Sequence, residues 1–145
     1  MYLEEIKIGT RYELEPVIMD KEEMFAFARQ YDPIPLHLDE NYAKASRFGG
    51  LIAPGLMSFA VAWGRLEALD IFGPELVAGK TARIEWFTPV YMGDTICATG
   101  ELTGVYPRNP YNGVAEITLS ARNQQDQLLF TAVVEAVIRR RPEEA

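Results

Sequence analysis

A long apolar segment enclosed by two Pro/Gly pairs limits the folds that this chain can adopt. The segment runs from Leu56 to Phe72, where 12 of the 17 residues are hydrophobic, and it lies between Pro54-Gly55 and Gly73-Pro74. Proline is common in the first turn of a helix and a Gly-Pro pair ends one, so the segment predicts a single long helix. A helix that is apolar around its circumference must be enclosed by other elements.

Charged residues distinguish this segment from a membrane span. Arg65, Glu67 and Asp70 interrupt it well short of the roughly 18 apolar residues that crossing a bilayer requires. The N-terminus, residues 1–5, lacks the basic and apolar regions of a secretory signal. We therefore expect a buried helix, no membrane association and a cytoplasmic location.

The second half of the chain supplies strands that could enclose the helix. Apolar residues there recur at every second position, which is typical of half-buried strands. The rows are Ala82, Ile84 and Trp86; Ile96, Ala98 and Leu102; Ala115, Ile117, Leu119 and Ala121; and Phe130, Ala132, Val134, Ala136 and Ile138. Turn signals at Gly93-Asp94, Asn112-Gly113 and Gln125-Asp126 imply antiparallel neighbours. The pattern predicts an α+β fold in which an antiparallel sheet of about five strands curls around the long helix.

Two aspartates predict helix starts in the first half. After a strand expected from Tyr12 to Met19, Asp20 is followed by Glu23 at capping-box spacing. The helix that follows should place Met24, Phe25, Ala28 and Tyr31 on one face and stop before Pro33. Asp39 should cap a second, short helix.

Composition narrows the class of protein. The chain has 145 residues and shows no linker or repeat, so we expect a single domain over residues 1–145. A formal charge of −7 argues against a nucleic-acid or anionic-membrane partner. One cysteine forms no internal disulfide, and one histidine excludes metal sites built on several histidines.

Some residues with reactive or aromatic side chains have structural interpretations. Cys97 falls within a strand pattern and is interpreted as a small core residue. Trp86, Phe87 and Tyr91 are interpreted as packing residues. The basic run Arg139 to Arg141 ends the last strand and is interpreted as a solvated terminus.

Asp32 and His37 form the first candidate site. They are five residues apart, with Pro33 and Pro35 between them, and the prolines predict a stiff loop without helix or strand pairing. A stiff loop can hold an acid and a base at a fixed separation, as acid–base chemistry requires. Alternatively, Asp32 simply ends the preceding helix and the histidine is structural.

The start of the long helix is the second candidate. Ala53, Pro54, Gly55 and Leu56 lie where a helix exposes unpaired N–H groups and the positive end of its dipole. Such an end suits an anion or a developing oxyanion, and glycine lets a ligand approach the backbone. Alternatively, Pro54 and Gly55 only begin the helix.

Other catalytic patterns are missing from the sequence. It contains no G-x-G-x-x-G, P-loop, C-x-x-C or H-E-x-x-H motif. Ser58 has no surrounding motif that indicates a nucleophile, so a Ser-His-Asp arrangement is unsupported. We expect neither a metal nor a cofactor.

Taken together, these residues resemble the MaoC-like dehydratase family, whose members include (R)-specific enoyl-CoA hydratases of the hot-dog fold. The resemblance covers nearly the whole chain. Its first part contains Tyr31-Asp32-Pro33, Pro35, His37-Leu38-Asp39, Phe48-Gly49-Gly50-Leu51-Ile52-Ala53 and Gly55, and its second is Phe87-Thr88-Pro89-Val90-Tyr91-Met92-Gly93-Asp94-Thr95.

The resemblance implies a reaction and roles for three residues. The reaction is the interconversion of trans-2-enoyl-CoA and (R)-3-hydroxyacyl-CoA. Asp32 and His37 would hold one water molecule for acid–base catalysis, and the backbone N–H of Gly55 would contribute to an oxyanion hole. Ala53, Pro54 and Leu56 would contact the substrate.

The resemblance also implies partners and leaves alternatives open. It implies an acyl-CoA substrate and a homodimer, or a larger oligomer built from dimers, formed by joining sheets edge to edge. Cations that could contact the CoA phosphates are Lys80, Arg83, Arg108 and Arg122. Because a fold hosts several functions, an acyl-CoA thioesterase and a non-catalytic acyl-CoA-binding or partner subunit remain alternatives. Ile34 and Pro54, which depart from the family's usual residues, hint at the second alternative.

Overall fold

The computed structural model describes residues 1–143, so the last two residues of the domain expected over residues 1–145 lie outside it. Four α-helices and six strands are present in this range. In chain order they are β1 (Arg11–Glu13), β2 (Val17–Ile18), α1 (Lys21–Tyr31), α2 (Pro35–Leu38), α3 (Glu40–Ala45), α4 (Gly55–Glu67), β3 (Leu76–Trp86), β4 (Thr95–Pro107), β5 (Asn112–Arg122) and β6 (Leu128–Arg139).

The strands form one antiparallel sheet in the order β1-β4-β5-β6-β3, and the short β2 pairs with the beginning of β4. The single strand expected from Tyr12 to Met19 is in fact two, β1 and β2. Pro16 lies between them, and because proline has no N–H it cannot continue the ladder. The sheet therefore has one strand more than the five expected.

The predicted apolar rows of β4, β5 and β6 are confirmed as the buried face of the sheet. Ile117, Leu119, Phe130 and Ala132 are essentially inaccessible to solvent. The same alternation shows that the interpretation of Cys97 as a core residue was wrong. Its neighbours in β4 point inward, so the Cys97 side chain lies on the opposite face and is exposed.

Helix α4 lies against this buried face but is shorter than predicted. It ends at Glu67 instead of continuing to Phe72, and Asp70 follows in the left-handed region with φ of 49°. The buried residues of α4 form one stripe, which consists of Met57, Ser58, Ala62 and Leu66. Leu56, on another side, is 53% exposed. The expectation that α4 is enclosed on all sides is therefore wrong for the described chain.

Strand β3 has a different environment from the other long strands. It pairs with β6 along one edge, its other edge is unpaired within residues 1–143, and all of its residues except Ile84 are exposed. The predicted inward row of Ala82, Ile84 and Trp86 therefore contributes only Ile84 to the partly buried interior. The prediction was therefore wrong for Ala82 and Trp86, which are exposed.

Both predicted helix caps are present. Asp20 Oδ2 accepts a hydrogen bond from the Glu23 N–H at 3.1 Å, and Asp39 Oδ1 accepts one from the Tyr42 N–H at 3.0 Å. Each bond satisfies an N–H that has no partner within its own helix. The predicted face of α1 is only partly buried: Met24 and Ala28 are inaccessible, whereas Tyr31 is exposed.

Two predictions about connecting segments were wrong. The segment around Pro35 contains a helical turn, α2, because proline at the first helical position needs no N–H donor. Asn112-Gly113 is not a turn, since Asn112 already begins β5. The turn precedes it: Asn109 Oδ1 accepts hydrogen bonds from the N–H groups of Tyr111 and Asn112.

The basic run at the end of β6 is not merely solvated. The guanidinium of Arg140 donates to Glu4 at 2.8 Å and that of Arg141 donates to Glu5 at 2.8 Å. The hydrogen bond from the Arg140 side chain is the main reason that the pKa of Glu4 falls from 4.5 to about 2. These pairs join the first residues of the chain to the end of the sheet.

The architecture is that of the hot-dog fold: an antiparallel sheet curled around one central helix, in the α+β class. Within the described range, none of the helices combines the length and hydropathy needed to cross a bilayer.

Candidate functional site

The structure brings Asp32 and His37 into direct contact. His37 Nε2 lies 3.2 Å from Asp32 Oδ2. Asp32 is the residue after the last turn of α1, and His37 is on α2, where its side chain is almost completely buried. The short connection through Pro33 therefore places a buried imidazole against a partly exposed carboxylate.

The second nitrogen of His37 fixes the orientation of the ring. His37 Nδ1 lies 2.7 Å from the carbonyl oxygen of Ile52, and because a carbonyl only accepts, Nδ1 must carry the hydrogen. Proton exchange is then left to Nε2, the nitrogen that faces Asp32. Ile52 itself is held by a bridge to Tyr91. This arrangement, in which one ring nitrogen is anchored and the other is free to react, is typical of catalytic histidines.

The helix that Asp32 follows does not account for its carboxylate. A carboxylate is unfavourable at the C-terminal end of a helix, where the dipole is negative, and Asp32 is at that end of α1. The neighbouring Asp20 and Asp39 occupy the favourable end of their helices and act as caps. Asp32 is thus explained by its contact with His37 and not by the helix that it follows.

The first turn of α4 leaves backbone donors free. No side chain caps this end, and the N–H groups of Met57 and Ser58 both donate to the Pro54 carbonyl. Within residues 1–143, neither the N–H of Gly55 nor that of Leu56 has an acceptor. The positive end of the longest helix is therefore available to a negatively charged group.

One cavity unites the acid–base pair with this helix end. It has a volume of about 500 Å³, it is open to solvent, and Asp32, His37, Ala53, Gly55 and Leu56 all contribute to its wall. These are the predicted site residues with the exception of Pro54, which is completely buried behind the wall. The cavity can present an acid, a base and backbone N–H donors to one small reacting group.

The structure adds residues that the sequence interpretation missed. Trp86 and Phe87, interpreted above as packing residues, are about half exposed and line this cavity together with Arg47. The available signal was that the apolar alternation of β3 ends at Trp86, close to Pro89. An apolar row alone, however, does not distinguish a core from a cavity wall. Arg47 is a cation at the site, whereas Lys80, Arg83, Arg108 and Arg122 do not line the cavity.

Among residues 1–143, no group of three or more His, Cys, Asp or Glu side chains is placed to hold a metal ion. The chemistry that the cavity can support without additional groups is proton transfer by the Asp32–His37 pair next to a set of hydrogen-bond donors.

Comparisons with known proteins identify the family and the fold. A sequence model described as "MaoC like domain" matches residues 4–134. The (R)-specific enoyl-CoA hydratase of Rhodospirillum rubrum is 30% identical over 114 residues, covering 76% of this chain and 75% of that protein. A solved structure of a monoamine oxidase regulatory protein from an Archaeoglobus species has a TM-score of 0.93 and 30% identity, covering 98% of this chain and 96% of that one. The (R)-hydratase from A. caviae has a TM-score of 0.77 and 25% identity, with 94% and 98% covered.

Proposed function

Because this chain belongs to the MaoC-like domain family, we propose that it adds water to trans-2-enoyl-CoA thioesters to give (R)-3-hydroxyacyl-CoA, or catalyses the reverse dehydration. The observation that carries the proposal is the contact of His37 Nε2 with Asp32 Oδ2 at 3.2 Å, in a cavity that also contains the first turn of α4. The named hydratases among the similar proteins support the same reaction class.

The acid–base pair performs the proton transfers. Asp32 Oδ2 and His37 Nε2 both accept hydrogen bonds from one water molecule, whose oxygen bonds to the β-carbon of the enoyl group. The pair takes one proton from this water and delivers one proton to the α-carbon, so the sum of the reaction is the addition of H and OH across the double bond. General acid–base catalysis of this kind typically contributes about 10²- to 10⁴-fold.

The first turn of α4 stabilises the charge that develops on the thioester oxygen. When oxygen adds to the β-carbon, electrons move through the conjugated system toward the thioester carbonyl. The free N–H of Gly55 donates to this oxygen, with the dipole of α4 aligned in the same sense. Losing one such donor typically costs about 10²- to 10³-fold in rate.

The remainder of the cavity is suited to an acyl thioester. Leu56, Phe87 and Val90 give it an apolar wall, and Arg47 supplies a positive charge to a chain whose formal charge is −7. We assign the apolar wall to the acyl group and Arg47 to the polar carrier arm. A local cation of this kind lets an acidic protein bind an anionic CoA ester.

The alternative thioesterase activity, if it used a serine nucleophile, would need a serine hydroxyl directed at the substrate carbonyl. Ser58 lines the same cavity, but the residue is fully buried and its hydroxyl donates to the Gly55 carbonyl at 2.7 Å. A hydroxyl in that bond is not directed at a substrate carbonyl. The geometry therefore favours the hydratase over hydrolysis through a serine nucleophile.

The proposal includes a homodimer, in which the chain pairs with a second copy of itself. An exposed, unpaired strand edge of 11 residues on β3 is a ready surface for strand pairing, and natural proteins seldom leave such an edge open. Pairing of β3 with β3 of a second copy would extend the sheet across both chains. Light scattering of the purified protein should give twice the mass of the chain, and a monomer at micromolar concentration would contradict the proposal.

A direct assay separates the hydratase from its alternatives. Crotonyl-CoA and longer enoyl-CoAs should lose the absorbance of the conjugated thioester when the purified protein is added, without release of free thiol. Thiol release in the same samples would identify a thioesterase. Saturable binding of acyl-CoA with no change in either signal would identify a non-catalytic binding subunit.

A further inference from the structure

The carbonyl group of Gly55 accepts two side-chain hydrogen bonds. One comes from the Ser58 hydroxyl at 2.7 Å and the other from the indole N–H of Trp86 at 3.0 Å. Ser58 belongs to the same helical turn, whereas Trp86 is the last residue of β3 and is separated from Gly55 by 31 positions. The start of α4 is thus tied to the end of a strand on the rim of the cavity.

The indole ring also occupies the space next to the Gly55 Cα. A Cβ at position 55 would lie 2.7 Å from Cε2, 2.8 Å from Nε1 and 3.1 Å from Cζ2 of Trp86. Separations of this size are not tolerated between carbon atoms, so residue 55 must be glycine as long as the ring stays in place. Backbone conformation is not the reason, because Gly55 is absent from the glycines with positive φ, which are Gly9, Gly49, Gly73 and Gly93.

Glycine is a weak choice for a catalytic donor unless something restrains it. It has more conformational freedom than any other residue, whereas an oxyanion donor is effective only when it is oriented before the reaction begins. Pro54 restrains the chain on one side of Gly55 through its fixed φ. The Trp86 ring and its hydrogen bond restrain the other side.

We infer that Trp86 is a positioning residue, which holds Gly55 so that its N–H faces the reacting thioester oxygen. The inference rests on the proposed hydratase function. Burial does not account for the position of Trp86, since the residue is 48% exposed. The indole N–H of Trp86 nevertheless donates a hydrogen bond to the Gly55 carbonyl. Gly55 is also the residue whose own N–H is the proposed oxyanion donor.

Substitutions at Trp86 separate positioning from packing. Trp86→Phe keeps an aromatic ring but removes the N–H donor, and kcat should fall about 3- to 10-fold, as expected for the loss of one net hydrogen bond. Trp86→Ala removes both restraints and should lower kcat about 10- to 100-fold, toward the effect of a lost oxyanion donor. KM should change less than about 3-fold in both, because the loss occurs in the transition state.

A purely structural Trp86 would give another pattern. It would lower the melting temperature and leave kcat per folded molecule unchanged, and a Trp86 that only contacts substrate would raise KM at constant kcat. Phe87→Ala is the matched control, since Phe87 is the next residue and lines the same cavity, but its side chain has no group that could hydrogen-bond to Gly55. It should alter KM more than kcat.

A double-mutant cycle with Gly55 tests the contact itself. Gly55→Ala should impair the wild-type protein strongly, because the new Cβ collides with the indole ring. In the Trp86→Ala background the space is free, so the same change should lower kcat less than about 3-fold further, a strongly non-additive result. Melting temperatures of the four proteins should show the same coupling independently of turnover.

The outcomes are distinguishable. A wild-type protein that does not hydrate any enoyl-CoA rejects the proposed function. An active wild type in which Trp86→Phe and Trp86→Ala keep their kcat, or in which the effects of Gly55→Ala and Trp86→Ala simply multiply, overturns the inference about Trp86 while leaving the hydratase intact.

Discussion

Helices α1 and α4 begin in opposite ways. The first turn of α1 is capped by the Asp20 carboxylate, which accepts from the Glu23 N–H, and it carries Glu22 and Glu23, so negative charges of the chain itself offset its dipole. The first turn of α4 begins with Pro54 and Gly55, carries no acidic residue and is left without a side-chain cap. The helix with the greater role in the core therefore has the start without a compensating negative charge.

The difference separates a structural helix end from a functional one. Leaving first-turn donors free costs stability, typically about 0.5–2 kcal/mol for one absent cap. At α4 this cost coincides with the Asp32–His37 pair in the same cavity, whereas the ion pair at the start of α1, between Lys21 and Glu40, is exposed to solvent. Substitutions around α4 should accordingly affect turnover, and those around α1 should affect stability.

The largest effect is expected at the acid–base pair. Asp32→Asn and His37→Gln should each reduce kcat about 10²- to 10⁴-fold. The double variant should be little worse than either single one, because the two residues act as a unit. The fold should persist, since a glutamine amide can still donate to the Ile52 carbonyl in place of His37 Nδ1. Steady-state kinetics and thermal melts check both statements, and near-normal rates in either single variant would remove the pair from the mechanism.

The next effect is expected at the far end of α4, and it should be on stability. Leu66 is buried beside a mostly apolar cavity of about 180 Å³, so Leu66→Ala enlarges a void and should cost about 2–5 kcal/mol. Leu69→Ala is the matched control, because Leu69 lies one turn on and is exposed. Urea denaturation measures both. Equal costs for the two variants would show that the core is not where the structure has it.

A smaller effect is expected at the capped end of α1. Asp20→Ala removes the acceptor for the Glu23 N–H and should lower the free energy of unfolding by about 0.5–2 kcal/mol, with turnover unchanged. Asp20→Ser keeps an acceptor oxygen and should restore most of the loss. If Asp20→Ala reduced kcat as much as a change at the Asp32–His37 pair, the contrast between the two helix starts would fail.

The smallest effect is expected on stability at Glu4, whose ion pair with Arg140 joins the start of the chain to the end of the sheet. Its folded-state pKa of about 2 lies below the ordinary 4.5, mainly because Arg140 donates to it. A lowered pKa contributes stability above pH 4.5 that is lost as the pH falls toward about 2. The pair is partly exposed, so Glu4→Gln should cost only about 0–1 kcal/mol near neutral pH.

The pH dependence provides the control for this prediction. The difference in melting temperature between wild type and Glu4→Gln should shrink as the pH falls from about 5 to about 2, because the wild-type carboxylate is then protonated. Glu15→Gln, at an exposed residue without an ion pair in the described chain, should show no such trend. A constant difference across this range would indicate that the Arg140 pair does not stabilise the fold.

Local signals predicted the parts of the fold that depend on local physics. The caps at Asp20 and Asp39 and the inward rows of β5 and β6 follow from hydrogen-bond spacing and from the period of two along a strand, both of which the sequence displays. The end of α4 does not, because apolar residues continue to Phe72 while the chain turns at Asp70. Apolar residues indicate burial, and a residue in a turn can be buried as well as a residue in a helix.

The site was predictable in part for the same reason. Asp32, His37 and Gly55 lie close in sequence to the prolines and glycines that shape their segments, and these signals are local. Trp86 reaches Gly55 across 31 positions, and no local pattern distinguishes it from a core aromatic residue. The partners of Arg140 and Arg141 are likewise at the other end of the chain, 136 positions away.

The most direct test of the account is the hydration of crotonyl-CoA by the wild-type protein, with the configuration of the product determined by chiral separation, beside His37→Gln under the same conditions. We predict (R)-3-hydroxybutyryl-CoA from the wild type and a rate at least about 10²-fold lower from the variant. An (S) product, or equal rates from the two proteins, would contradict the assignment of the chemistry to His37 and Asp32 at the start of α4.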